Sequence, residues 1–195
     1  MRCLAESKKI VIVGIPGVGK TTLVTKLVEI LTSNGKTVKV VSFGTVMFDE
    51  AQKRGLSDRD QLRKLPMNEQ KNLQKLAAEA ISKLTEDYVM VDTHAFISTP
   101  SGYYPGLPEH VLKTIQPANF ISVYAKPEDI YNRRLQDETR SRDKVSLDSI
   151  KKELTFHQSM ISTCSVISGS PVKAVQNAEG KVEEAAQKVI DAIGL

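Results

Sequence analysis

The sequence predicts an α/β fold, a five-stranded parallel sheet with helices on both faces. Three observations lead there. Short β-branched runs alternate with segments of helical spacing along the whole chain. The first such run, Lys9-Ile10-Val11-Ile12-Val13, leads directly into Gly14-Ile15-Pro16-Gly17-Val18-Gly19-Lys20-Thr21, which fits G-x-x-x-x-G-K-[ST]. The 195 residues suffice for one α/β domain with an ample core, and no linker-like change of composition divides 1–195.

Each element has its own signal. Residues 9–13 read as a buried parallel strand. From Thr22 to Thr32 the apolar side chains are Leu23, Leu27, Ile30 and Leu31, a helical spacing. Between them the glycines let the backbone wrap a phosphate with its N–H groups inward, and the helix N-terminus adds partial positive charge. Gly14, Ile15, Pro16, Gly17, Val18, Gly19, Lys20, Thr21 and Thr22 are therefore expected to hold ATP. Lys20 would reach the β- and γ-phosphates, and the Thr21 hydroxyl would sit on Mg²⁺. Strand, loop and helix in this order give the three-layer sandwich of the P-loop NTPase type.

Asn34-Gly35 is a turn, and the β-branched run 37–43 is the second strand. Residues 44–65 are polar and basic and read as short helices. Pro66 is expected at the first position of a long helix burying Leu73, Leu76, Ala77, Ala80, Ile81 and Leu84. Residues 88–91 form the third strand, followed by Asp92-Thr93-His94. The stretch 100–108 carries too many turn formers for helix or strand. Residues 120–124 are the fourth strand, and Pro127 opens a helix that a charged segment, 133–144, interrupts. Residues 147–165 are helical, 172–175 are the fifth strand and 182–193 a closing helix. Ligands of such a sheet bind beyond the carboxyl ends of its strands, which selects the loops after Val13, Phe43, Val91, Tyr124 and Val175.

Those loops carry the candidate chemistry. Asp92 follows a buried strand, where a carboxylate would hold the water shell of Mg²⁺. His94 reads either as a nucleotide contact or as a hydrogen-bonded structural residue. Residues 101–108 offer aromatic faces and backbone donors that would frame a base, or form a rigid surface loop. Arg59 and Arg63, four apart, share a face if helical, and two guanidinium forks on one face suit a phosphate monoester. Asp58 and Asp60 support the opposing view of a solvated surface of alternating charge. Arg133, Arg134, Arg140 and Arg142 cluster where a lid would be placed, and arginines from a closing lid supply cations over a transferring phosphoryl group.

Composition narrows the class. Hydrophobic content of 41% and charged content of 26% are ordinary for a globular protein. No stretch approaches the about 20 apolar residues of a membrane span, and residues 1–7 lack the apolar core of a signal peptide. Cys3 and Cys164 have neither metal-ligand spacing nor a disulfide framework, so a cytoplasmic setting is expected, with Cys164 in the core. The net charge of +4 suits an anionic substrate, but without interleaved aromatics it argues against nucleic acid. Rival readings are a kinase for another nucleotide or a small hydroxyl acceptor, with Asp92 doubling as base, and a P-loop ATPase switch or assembly factor acting on a partner.

Several of these motifs, taken together, resemble the archaeal-type adenylate kinase family. They are the loop, Phe43-Gly44-Thr45, Asp58-Arg59-Asp60 with Arg63-Lys64-Leu65, Asp92-Thr93-His94, Thr99-Pro100-Ser101-Gly102-Tyr103 with Pro105-Gly106-Leu107-Pro108, and Thr139-Arg140-Ser141-Arg142. The resemblance covers nearly the whole chain. It implies transfer of the γ-phosphoryl of Mg-ATP to AMP, giving two ADP, by a homotrimer with a short lid. It makes 44–65 the AMP-binding flap, with Gly44, Thr45, Arg59, Arg63 and His94 on AMP, and 133–144 the lid. Lys20, Arg134, Arg140 and Arg142 become the catalytic cations, and Thr21 and Asp92 the holders of Mg²⁺, largely through water.

Overall fold

The computed structural model describes residues 7–99, 102–136 and 146–195, with the side chains of Asp60 and Arg63 outside that description. The parallel sheet contains β1 (Lys8–Val13), β2 (Val38–Ser42), β3 (Tyr88–Thr93), β6 (Asn119–Tyr124) and β7 (Val172–Gln176), in the order β2-β3-β1-β6-β7. β1 lies at the centre, paired with β3 from Lys8↔Tyr88 to Val13↔Thr93 and with β6 from Ile10↔Asn119 to Val13↔Ser122. The strand order therefore reverses at β1, which puts the glycine loop at the crevice where such sheets take their ligands.

Alternation along the strands builds two cores. Ile10, Ile12, Met90, Ile121 and Val123 face α1 (Lys20–Ser33) and α7 (Val182–Ile193), which contribute Leu23, Leu27, Leu31, Val189 and Ile193. Val11, Val13, Val89, Val91 and Phe120 face the other way. They meet α3 (Met67–Ser82), α4 (Glu109–Ile115) and α6 (Leu147–Ser168) through Ala77, Ile81, Leu112, Ile161 and Cys164. Strands buried on both faces explain why β1 reads as a continuous apolar run. Cys164 is a core residue, as expected, and burial pushes its thiol up to about 11. Among the described residues, no helix is long and apolar enough to cross a membrane.

The structure corrects several expectations. β2 stops at Ser42, because Phe43 opens α2 (Phe43–Gln52) and drops its side chain into the second core. Pro66 caps α3 from outside the first helical turn. α3 buries Gln74 and Ala78 beside Leu73, Ala77 and Ile81, while Leu76, Ala80 and Leu84 are only half-buried. Gln74 is drawn in by its Nε2, which donates to the Pro105 carbonyl at 3.2 Å. The helix α4 was not foreseen.

The stretch read as pure loop is largely a hairpin, β4 (Phe96–Thr99) against β5 (Gly102–Pro105). Its turn formers do not keep the flanks from pairing: Gly102 and Pro105 lie within β5, Pro108 precedes α4, and the aromatics pack. Tyr103 stacks on Phe156 of α6 at 4.2 Å between centroids, and Phe96 meets both rings edge-on. Gly106 closes the hairpin against the His94 carbonyl, where any Cβ would collide. Helix α5 (Pro127–Gln136) runs on through Arg133 and Arg134, so the charged segment 133–144 does not interrupt it at its start, and 137–144 lie outside the described residues.

α6 is tied to the sheet by His157, 3% exposed, whose Nε2 lies 3.1 Å from the Ser122 hydroxyl. Burial lowers its pKa from 6.5 to about 4, and the charge of Lys20 adds to the effect. A histidine with a lowered pKa stabilises the fold while neutral, so that contribution is complete above pH 6.5 and disappears as the pH falls through about 4. It is expected to be worth on the order of 3 kcal/mol across this window. Urea unfolding of wild type and His157→Gln over the same range checks it. The variant should lose stability at neutral pH and show a flatter acid limb; parallel limbs would assign the acid sensitivity to another group.

Candidate active site

The glycine loop is held from behind. Five of its peptide carbonyls are taken by side chains, one of them that of Lys20 at the start of α1 and the others from elements far along the chain. Gly14 O accepts from Lys20 Nζ at 2.8 Å and from the His94 Nδ1 side of that ring at 2.9 Å. With a carbonyl as partner, Nδ1 must carry the proton. Pro16 O accepts from Arg134 Nε at 2.9 Å, and Gly17 O from Arg133 Nη1 at 3.4 Å. Val18 O and Gly19 O both accept from Asn177 Nδ2, at 3.0 and 3.2 Å. In a planar peptide the C=O and N–H point in opposite directions, so carbonyls held outward turn the N–H groups to the concave side. Gly17 and Gly19 adopt φ of 91° and 83°, the left-handed conformations this curvature requires.

Charge converges at the same place. Lys20 opens α1 and is 9% exposed; Thr21 and Thr22 follow it on the exposed side of the helix start. Asp92 sits near the end of β3, beside β1 in the sheet. Burial raises its pKa, and Lys20 pulls it back down. Its Oδ1 is buried without a hydrogen-bond partner among the described residues. A buried carboxylate oxygen without a donor among the described residues, near enough to Lys20 to feel its charge, has the chemistry that holds a hard cation.

The other expected residues divide. Gly44 and Arg59 are brought together: a Cβ at Gly44 would lie 2.9 Å from Arg59 Nη2, so the guanidinium rests over the glycine, and Thr45 is exposed next to it. Arg59 and Arg63, however, lie on a 3₁₀ helix (Arg59–Lys64). With three residues per turn, positions four apart do not share a face. His94 contacts the glycine loop. Arg134 is committed rather than poised, its guanidinium paired with Glu153 of α6 at 2.7 Å and its side chain 5% exposed. Arg140 and Arg142 lie outside the described residues. Sequence reading missed Asn177, His157 and the anchoring role of Arg133; none belongs to a local motif, and only the loop after Val175 pointed towards the first.

Comparison with known proteins fits this picture. A family model described as an AAA domain matches residues 13–151. The chain is 43% identical to the adenylate kinase of Methanocaldococcus jannaschii over 96% of this chain and 99% of that one. It is 44% identical to the adenylate kinase of Thermoplasma acidophilum over 95% and 98%. Among solved structures, shikimate kinase from Acinetobacter baumannii aligns with a TM-score of 0.62 at 15% identity, covering 98% of this chain and 96% of that one. The enzyme from Bacteroides thetaiotaomicron aligns with a TM-score of 0.60 at 12% identity. These two likenesses are of fold.

Because burial raises the Asp92 pKa, the charged carboxylate costs stability at neutral pH; that cost begins to fall as the pH drops through the raised value and is gone below the ordinary 3.8. Asp92→Asn is therefore expected to melt at a higher temperature than wild type at neutral pH without ligands, while losing phosphate-dependent cation binding. Thermal melts with and without Mg²⁺ and nucleotide check both. A lower melting temperature without ligands would show that the attraction of Lys20 outweighs burial.

Proposed function

The chain belongs to the archaeal-type adenylate kinase family, and on that premise we propose how its residues divide the work of moving the γ-phosphoryl of ATP to AMP. The observation that carries the reading is the convergence of Lys20 and of Asp92 Oδ1, which has no hydrogen-bond partner among the described residues, on a loop whose carbonyls at Pro16, Gly17, Val18 and Gly19 are held by side chains from α5 and from the segment after β7. The enzyme is a phosphotransferase, and the products are two ADP.

The acceptor is a phosphate oxygen, already anionic at neutral pH. It needs placement and charge neutralisation rather than a strong base. In our reading, residues 14–22 hold the donor triphosphate through loop N–H groups, and Lys20 exchanges the Gly14 carbonyl for the β- and γ-phosphates. Thr21 and Asp92 would hold Mg²⁺, largely through water, and the ion there would supply positive charge to offset that of the triphosphate. Gly44, Thr45 and Arg59 form the acceptor side within the flap 44–65, joined by Arg63 and His94 on the strength of the family pattern. Arg140 and Arg142 supply lid cations over the γ-phosphoryl by the same pattern. Arg134 assists by fixing the loop, as its bond to Pro16 O supports. We further propose a single domain over 1–195, a cytoplasmic setting and a homotrimer.

The decisive experiment offers AMP, GMP, CMP, UMP and dTMP side by side with Mg-ATP. AMP is expected to be phosphorylated well ahead of the rest; equal use of another acceptor would reassign the substrate. Lys20→Met should remain folded by circular dichroism yet lose turnover by a factor on the order of 10³. Near-normal turnover in that variant would sink the assignment of the loop.

Arg59→Ala tests the acceptor side. Loss of a charge-assisted phosphate contact costs about 1.5–3 kcal/mol, so the KM for AMP should rise roughly ten- to hundred-fold with little change in that for ATP. An unchanged AMP dependence would return Arg59 to the solvated surface.

A further inference from the structure

The connection from β7 to α7 brings in a side chain that the mechanism above does not use. Asn177 directly follows β7 and is 5% exposed. Its backbone N–H donates to Tyr124 O at 2.8 Å, which pins it to the end of β6. Its side-chain nitrogen donates to Val18 O at 3.0 Å and Gly19 O at 3.2 Å, so both hydrogens of one amide serve successive carbonyls of the loop. The reverse amide orientation would set an oxygen against two oxygens. The Asn177 carbonyl accepts from Arg133 Nη2 at 3.4 Å. The same guanidinium donates to Gly17 O and pairs with Glu179 at 2.8 Å. Gly19 is what admits this contact, because any Cβ there would collide with the Asn177 nitrogen.

We infer that Asn177 is a positioning residue for phosphoryl transfer, its amide fixing the direction in which the phosphate loop presents its N–H groups to the donor nucleotide. The inference rests on the reading of residues 14–22 as the ATP site. Holding Val18 O outward turns the N–H of Gly19 inward across the same peptide plane, while Gly19 O, which also accepts from Leu23 N–H of α1 at 3.2 Å, is fixed jointly by the helix start and by Asn177. Such N–H groups grip the donor phosphates before and during transfer. Their loss weakens ground state and transition state alike, which raises KM more than it lowers kcat. The acceptor side, built from other elements, stays unaffected.

The test uses Asn177→Asp and Asn177→Ala in the full chain. Asparate at this position keeps the shape but presents oxygen to both carbonyls and adds negative charge beside the phosphates; alanine removes the contact. Steady-state kinetics and calorimetric titration with a non-hydrolysable ATP analogue are run beside wild type. The KM for ATP and the analogue Kd should rise about 10- to 100-fold, more in the aspartate variant. kcat should fall less than about five-fold, and the KM for AMP should move less than about two-fold. Asn177 lies outside both cores, so the alanine variant carries the test if the aspartate variant does not fold. A purely structural residue would lower the melting temperature and leave the KM for ATP and the analogue Kd in place, and that result in the alanine variant overturns the inference. Failure of the underlying reading looks different: wild type itself then shows no ATP–AMP transfer and no analogue binding.

Discussion

The outward hold on the carbonyls of the glycine loop is the constraint on which the rest depends. Apart from Gly19 O, which accepts from Leu23 N–H of α1 at 3.2 Å, the loop lies outside the helix and strand ladders, and its polar groups sit over a buried strand end. Left to itself it would collapse or flex. Here the carbonyls of Gly14, Pro16, Gly17, Val18 and Gly19 are occupied by Lys20, His94, Arg134, Arg133 and Asn177. The donors arrive from α1, the segment after β3, α5 and the segment after β7. The loop is thus preorganised by the tertiary fold, and it need not spend binding energy to take shape around a phosphate.

That preorganisation carries an electrostatic cost which the fold accepts. Lys20 lies in a largely dry site, within reach of Asp92, whose carboxyl burial disfavours, and of His157, which burial keeps neutral. The neutral histidine matters because a second cation below the loop would repel Lys20. Arg134 is neutralised by Glu153, so the guanidinium that holds the loop carries its own counter-charge. Among the described residues, Asp92 Oδ1 is buried without a hydrogen-bond partner, at the place where a cation and phosphate would meet it. Local instability concentrated at a site is what a ligand can relieve.

The hairpin shows how a local reading fails for a physical reason. Proline and glycine at 100–108 announce a reversal, but they do not say whether the flanks pair. Pairing follows from burial of Phe96 and from the contact of Tyr103 with Phe156, a residue of a helix far along the chain. Arg59 and Arg63 repeat the lesson in reverse. Their spacing suggested a common face, but the backbone there winds as a 3₁₀ helix, so the spacing lost its meaning.

The sequence by itself determined the unit β1–loop–α1, the parallel class of the sheet, its strands within a residue or two, and the span of α7. These depend on contiguous residues: β-branched runs, glycine spacing and helical periodicity act between near neighbours. It also marked Lys20, Thr21 and Asp92, because a motif fixes the first two and a strand end the third. Only the tertiary structure decided the strand order, the extension of α5 through Arg133 and Arg134, and the partners that lock the loop. The reason is distance along the chain. Asn177 reaches back to Val18, His94 to Gly14, Arg134 across to Glu153 and His157 to Ser122. No periodicity connects such pairs, and each exists only because the sheet brings its strand ends to one edge.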